Sequence, residues 1–335
     1  MAEITPLAKL SGPLYMKGPR DVLAGALPSR GLASVASTEL FGLARPRTRV
    51  LPLLRDVVAL TKPRITVSVI MTQVAGMFLA PGRAAAGRLF LSLGGAALLV
   101  GSANALNMWW ERDTDARMVR TRSRPLPSGR VSPDLALTFA LALLVLALPM
   151  LFLVNATTGL LGAVALVSYV FAYTPLKRHT HLALLVGAVP GAIPPLLGWS
   201  TVTGALGAGG LLLFGVLFLW QIPHFAAISI FRADDYARAG LRVVSVQHGE
   251  RAACYVVALS TVVLVAVTFL FFPFGLAGRA YLAVAATLGV AFLALAGRGI
   301  VGAPKGAIER WAKRVFAFSI PYLTLLLAAL LLDRR

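Results

Sequence analysis

Cysteine is almost missing from this chain: Cys254 is the only one in 335 residues. A single thiol excludes an intrachain disulfide and any metal or cluster site built from several cysteines. Cys254 sits at the start of an apolar run, where packing accounts for it. Charge is also scarce. Only 13% of residues are charged and 58% are hydrophobic, with a mean hydropathy of +0.80. Soluble domains carry roughly 25% charged residues, so a water-facing globule is disfavoured. No secretory signal peptide is visible, so the first spanning helix is expected to direct insertion. Acids are the scarcer sign, 13 in all, and none occupies the middle of an apolar run. A transporter or channel would be expected to carry ionisable groups inside its spans, which argues against that class.

The basic residues are abundant, and the formal net charge is +19. Elsewhere that charge would suggest a nucleic-acid partner. Here the lysines and arginines lie between apolar runs, so topology and anionic lipid explain them and no nucleic acid is expected. Runs of spanning length fall at about 64–81, 88–110, 133–154, 157–174, 181–200, 206–223, 252–273, 278–297 and 314–332. If the N-terminus and every second loop face the cytoplasm, 27 of the 32 Lys and Arg lie on that side and five on the other. That asymmetry follows the positive-inside rule. The expected fold class is therefore all-α: a polytopic membrane protein of nine transmembrane helices with a cytoplasmic N-terminus. Residues 1–55 are polar and arginine-rich without a spanning core, and read as a disordered cytoplasmic leader before a membrane domain at 56–335. Glu3, Asp21 and Glu39 count against a mitochondrial presequence, so a bacterial inner membrane is preferred over a mitochondrial inner membrane.

Chemistry concentrates at the end of the second run. Three acids fall within five positions, Glu111, Asp113 and Asp115. On a helix Asn107, Glu111 and Asp115 share one face over about 12 Å. Stacked like charges destabilise a bare helix and call for compensation. Mg²⁺ suits them, since it takes carboxylate oxygens and completes its shell with water and phosphate. Six arginines from Arg112 to Arg130 follow, Arg120 and Arg124 among them. Guanidinium binds phosphate bidentately, so the stretch reads as an Mg²⁺-diphosphate site at a membrane surface. A solvated membrane-proximal loop is the plainer alternative.

A second polar cluster follows the sixth run: Gln221-Ile-Pro-His224, then Arg232, Asp234, Asp235, Tyr236 and Arg238. His224, Arg232 and Asp235 are spaced to lie on one side of a helix. Two clusters on one membrane side would bracket a diphosphate from both ends. Lys62-Pro63-Arg64 places two cations at the rim of the first run, and Tyr173-Thr-Pro-Leu-Lys177-Arg178 ends the fourth. These serve either as membrane anchors or as phosphate ligands. Tyr169 and Tyr173, one turn apart, are candidates to line a cavity. Gly187, Pro190, Gly191, Pro194, Pro195 and Gly198 crowd the fifth run, as close helix packing or a kinked cavity wall would require.

With these motifs in order, residues 55–335 resemble the UbiA-type intramembrane prenyltransferases, and within them the branch whose acceptor is haem. The matching strings are Thr61-Lys-Pro-Arg64, Asn107-Met-Trp-Trp-Glu111-Arg-Asp113-Thr-Asp115 and Arg120-Thr-Arg122-Ser-Arg124-Pro-Leu-Pro-Ser-Gly-Arg130. Further on come Tyr173-Thr-Pro-Leu-Lys-Arg, Gly191-Ala-Ile-Pro-Pro-Leu-Leu-Gly-Trp199, Trp220-Gln-Ile-Pro-His-Phe225 and Arg232-Ala-Asp-Asp-Tyr-Ala-Arg-Ala-Gly240. The resemblance implies a bundle around a central cavity that opens to the lipid bilayer. It implies farnesyl diphosphate and haem b as substrates, and Mg²⁺ held by Asn107, Glu111, Asp115 and Asp235. Lys62, Arg64, Arg120, Arg124 and Lys177 would hold phosphate oxygens, and Tyr169, Tyr173 and His224 would face the acceptor or cavity. Haem A synthase or terminal-oxidase assembly would receive the product. Glutamate at 111, where the wider family usually has aspartate, is typical of the haem branch. His224 and Arg232 stand where acids often occur, a departure that bears on metal binding by the second cluster. A quinone-precursor or chlorophyll-precursor acceptor is the alternative within the family.

Overall fold

A computed structural model describes residues 50–301 and 307–335. Most of the expected leader lies outside the described residues, and its last six residues fall in the first described helix. In hydrocarbon no water satisfies backbone groups, so an apolar chain resolves into helices that bond internally. The helices are α1 Val50–Leu60, α2 Pro63–Leu79, α3 Ala86–Asp115, α4 Pro133–Val154 and α5 Ala156–Leu176. After these come α6 Ala183–Thr203, α7 Ala208–Phe231, the short α8 Ala233–Arg238, α9 Val244–Phe269, α10 Arg279–Gly297 and α11 Ala307–Leu332. Among the described residues, eight helices are long and apolar enough to cross a membrane. The span expected at 64–81 falls on the shorter apolar α2, of 17 residues.

Several helices run past the apolar stretches that mark them. α3 continues from the expected end at 110 to Asp115, and α7 from 223 to Phe231. Hydrophobic runs report only the lipid-immersed length, while hydrogen bonding carries a helix on into the polar rim. Local signals set the starts. The Ser132 side chain accepts from Leu135 N–H at 3.3 Å before α4, and Asn155 accepts from Thr158 N–H at 2.8 Å before α5.

α1 is amphipathic. Leu53, Asp56, Val57 and Leu60 turn inward at helical spacing, with Leu60 fully buried, while Leu51, Leu54 and Val58 are exposed. The buried apolar side chains form two main clusters. One gathers Leu60, Leu99, Ala105, Ala140 and Leu151 from α1, α3 and α4, and the other Leu213, Val257, Phe292 and Tyr322 from α7, α9, α10 and α11. α2 and α6, whose Leu79, Ala192 and Trp199 join the second cluster, approach to backbone contact. A Cβ on Gly76 would strike the Pro195 carbonyl, and one on Gly198 the Gln73 carbonyl, so glycine alone permits this approach. The glycine-proline crowding of the fifth run thus serves close packing. Polar groups in the same region pair with one another: Gln73 Nε2 donates to Ser92 Oγ at 2.8 Å, and Ser92 and Thr201 hydroxyls lie 2.6 Å apart.

Candidate active site

α3 positions the first cluster as its periodicity dictates. Asn107, Glu111 and Asp115 lie on one face, all nearly inaccessible at 3%, 5% and 1% exposure. Buried carboxylates require partners, and here the partners are cations from distant segments. The Lys177 ammonium, beyond the end of α5, contacts Glu111 Oε1. Arg124 Nη1 reaches Asp115 Oδ2 at 2.7 Å from the loop after α3. Lys62 Nζ approaches Asn107 Oδ1 at 3.5 Å. Asn107 Nδ2 donates both to Glu111 Oε2 at 3.0 Å and to Thr174 Oγ1 at 3.1 Å. Lysine and arginine therefore provide the charge compensation that the acidic face demands.

Each cation is itself held in place. The Arg loop folds back because Thr121 Oγ1 donates to the Asp115 carbonyl at 2.8 Å and Arg124 N–H to Thr121 O at 3.0 Å. Lys62 has a left-handed backbone, φ 49° and ψ 67°, the one such non-glycine among the described residues. That conformation costs on the order of 1–3 kcal/mol and needs support from its surroundings. The support is visible: Lys62 O accepts from Ile65 N–H at 2.9 Å, and Thr61 O accepts from Asn104 Nδ2 at 3.3 Å. Lys62 is half-buried as a residue with its amine turned inward. Burial, reinforced by the Arg124 and Lys177 charges, pushes that amine down to about 7.

α5 contributes the aromatic wall. Its helix widens to a π-helical turn over Ser168–Tyr173, a distortion found often at functional sites. Tyr169 and Tyr173 stack with centroids 5.6 Å apart, and the Lys177 ammonium lies 5.1 Å from the Tyr173 ring centre. Thr174 follows, donating to Tyr169 O at 2.8 Å while accepting from Asn107. Sequence reasoning passed over Thr174, although its place in Tyr-Thr-Pro-Leu-Lys was a usable signal.

The second cluster differs from its expected form. α7 ends at Phe231, and Arg232 takes φ −121° and ψ 17° before α8 begins. His224, Arg232 and Asp235 therefore do not lie on one helical side. His224 is buried with Nδ1 at 2.7 Å from Ser319 Oγ, its ring 4.7 Å from Trp220 and 4.8 Å from Phe316. Those contacts belong to the α7–α11 interface. Asp235 is buried in α8 and is paired with Arg238, with Arg232 4.0 Å away. α8 and the turn after it pack on the loop after α3, Tyr236, Ala239 and Leu241 meeting Met118, and Arg242 N–H donates to Lys177 O at 3.0 Å. The two clusters thus share one rim of the bundle. A cleft of about 370 Å³ lies there, lined by Asp113, Thr114, Arg117, Arg178, Ala239 and Gly240. Arg64 and Arg120 are exposed on the surface rather than drawn into the α3 network.

The donor set suits a hard cation. Glu111 Oε1 is buried, touches the Lys177 ammonium and makes no hydrogen bond. Among the described residues no three acidic, histidine or cysteine side chains converge as a metal cage. Mg²⁺ needs no such cage, since it commonly binds through one or two carboxylates and substrate phosphates. The Glu111 and Asp115 carboxylates with the Asn107 carboxamide oxygen meet that requirement.

The profile of the UbiA prenyltransferase family matches residues 69–320. A protoheme IX farnesyltransferase of Anaeromyxobacter sp. (strain Fw109-5) is 53% identical over 293 residues, covering 87% of this chain and 98% of its own. One from Sorangium cellulosum is 54% identical over 246 residues, 73% of this chain and 87% of its own. Among solved structures, a digeranylgeranylglyceryl phosphate synthase superposes with a TM-score of 0.72 at 16% identity, over 84% of this chain and 98% of that one. A UbiA homologue from Archaeoglobus fulgidus bound to GPP and Mg²⁺ gives 0.56 at 15% identity, over 82% and 99%. Likeness at such low identity speaks for the fold.

Proposed function

The chain belongs to the UbiA prenyltransferase family, and we propose that within this family it makes haem O. In this reading it moves the farnesyl group of farnesyl diphosphate to the 2-vinyl group of haem b, with addition of water and release of diphosphate. The observation that carries it is the identity of 53% over 293 residues to a relative named protoheme IX farnesyltransferase. The buried Asn107–Glu111–Asp115 face, ringed by Lys62, Arg124 and Lys177, supports the location of the chemistry.

Mg²⁺, held by Asn107, Glu111 and Asp115, would supply positive charge to the departing diphosphate. The chain's own cations do the same work from the other side. Arg124 and Lys177 leave their carboxylates to meet phosphate oxygens, and Lys62 adds a third charge. Arg64 and Arg120 stand outside to gather the anion. As the allylic C1–O bond breaks, negative charge grows on diphosphate, so prearranged cations lower the barrier. Tyr169 and Tyr173 present aromatic faces toward the cationic farnesyl carbon, an attraction of the cation–π kind. The apolar surroundings keep bulk water from that cation. The vinyl π bond attacks C1, one water adds to the resulting porphyrin-side cation, and that water's proton is lost, leaving a hydroxyfarnesylethyl group. Asp235, paired with Arg238 and Arg232, is the candidate for a second metal-diphosphate contact, and His224 for shaping the acceptor side.

The relatives are bacterial and the Lys/Arg asymmetry favours a cytoplasmic N-terminus. We place the site at the cytoplasmic face of the inner membrane, with haem A synthase or terminal-oxidase assembly taking the product. The test is extraction of haems from a host lacking haem O that expresses this chain or Asp115→Asn. Haem O appearing only with the intact sequence supports acceptor and motif together. An inserted protein that yields none would mean another acceptor, with quinone precursors next to try.

A further inference from the structure

Behind the cations of the site, the segment 177–182 is fastened to the start of α9. Arg242 Nη1 donates to His179 O at 3.2 Å, and His181 N–H donates to Gln247 Oε1 at 2.9 Å. Two imidazoles meet at this seam. His248 Nε2 lies 3.2 Å from His181 Nδ1, with ring centroids 4.5 Å apart and planes at 84°. Gln247 Oε1 lies 3.0 Å from the same Nδ1. His248 is exposed and His181 half-buried, so the group is open to the aqueous rim. Gly249, at φ 84°, breaks α9 directly after His248 and separates that residue from the regular helix beyond.

We propose that His181 and His248 form a two-imidazole site for a borderline divalent transition ion such as Zn²⁺ or Cu²⁺, with Gln247 Oε1 as the third contact. Bonds of about 2.0–2.1 Å to such an ion place neighbouring donor atoms roughly 2.9–3.4 Å apart. Both separations at His181 Nδ1 fall in that interval. Imidazole nitrogen selects these ions, whereas Mg²⁺ takes oxygen, so the site is chemically distinct from the acidic face of α3. Coordination requires that the two facing nitrogens, His181 Nδ1 and His248 Nε2, carry no proton, with each ring's N–H on its outer nitrogen. Once bound, the ion would tie α9 to the loop that presents Lys177 and Arg178.

Cu²⁺ is the probe, added to untagged full-length protein in detergent with Mg²⁺ in excess to occupy oxygen sites. One Cu²⁺ per chain is expected, with electron paramagnetic resonance showing coupling to two imidazole nitrogens. His181→Ala or His248→Ala should leave at most one nitrogen and weaken binding at least roughly tenfold, as loss of even an outer-layer partner can. Unchanged elution on size exclusion checks that these variants fold. A wild-type protein that shows no two-nitrogen signal overturns the proposal. So does a His181→Ala/His248→Ala double variant that binds Cu²⁺ as the wild type does.

Discussion

Arg124 Nη1 sits 2.7 Å from Asp115 Oδ2, closing the arginine loop onto the last turn of the acidic helix. Asp115 is almost wholly buried while Arg124 keeps about a quarter of its side chain accessible. The pair is consequently asymmetric. Arg124→Ala strands a buried carboxylate, a loss of about 3–5 kcal/mol for a broken buried pair, and would confuse folding with function. Asp115→Asn leaves a guanidinium that can still reach water. That variant should insert normally yet lose at least roughly 100-fold in turnover, the scale of one lost electrostatic contact to a transition state. Near-normal rates in membranes containing the variant would remove Asp115 from the site.

Metal dependence is the second expectation. A site with two carboxylates and a carboxamide oxygen binds hard cations, so EDTA should abolish farnesyl transfer and Mg²⁺ should restore it. Glu111→Gln should raise the Mg²⁺ concentration needed for half-maximal activity. Full turnover in EDTA would refute the assignment.

Lys62 predicts a pH signature. Its amine is held down to about 7 in the free protein by burial and by Arg124 and Lys177, so it is charged below that pH and neutral above. An incoming diphosphate favours the charged form, which couples binding to proton uptake above about pH 7. KM for farnesyl diphosphate should therefore rise with pH through this range. In Lys62→Arg the guanidinium remains charged, and the rise should flatten. Equal slopes in the two proteins would rule Lys62 out as the titrating group.

Helix packing predicts a purely structural defect. A side chain at Gly198 would meet the backbone of Gln73, and the carbonyl there cannot swing aside as a side chain could. Gly198→Leu should destabilise the bundle by about 1–3 kcal/mol or more. A lowered thermal midpoint in detergent is the readout, and an unchanged midpoint would mean that α2 and α6 do not pack closely.

Topology is tested by a reporter fused after Arg335. With a cytoplasmic N-terminus and nine spans, the reporter should appear on the opposite side. A cytoplasmic signal would shift the count by one, with the short α2 the first helix to question.

Local rules make much of this protein legible in its sequence. Long apolar stretches must become helices in lipid, and residues four apart must share a helix face, so both the all-helical architecture and the buried alignment of Asn107, Glu111 and Asp115 follow from order along the chain. The tertiary structure decided which charges meet. Lys177 reaches Glu111 across 66 positions and Lys62 reaches Asn107 across 45, and no local period encodes such pairings. It also decided where helices stop. The break at Arg232 sends Asp235 into a separate turn away from His224, and the π-helical turn carries the stacked Tyr169 and Tyr173. Thr174 gained its place between Tyr169 and Asn107 only because α5 packs beside α3. Sequence periodicity specifies which face of a helix a residue occupies, but the identity of its neighbour depends on how helices distant along the chain settle against one another.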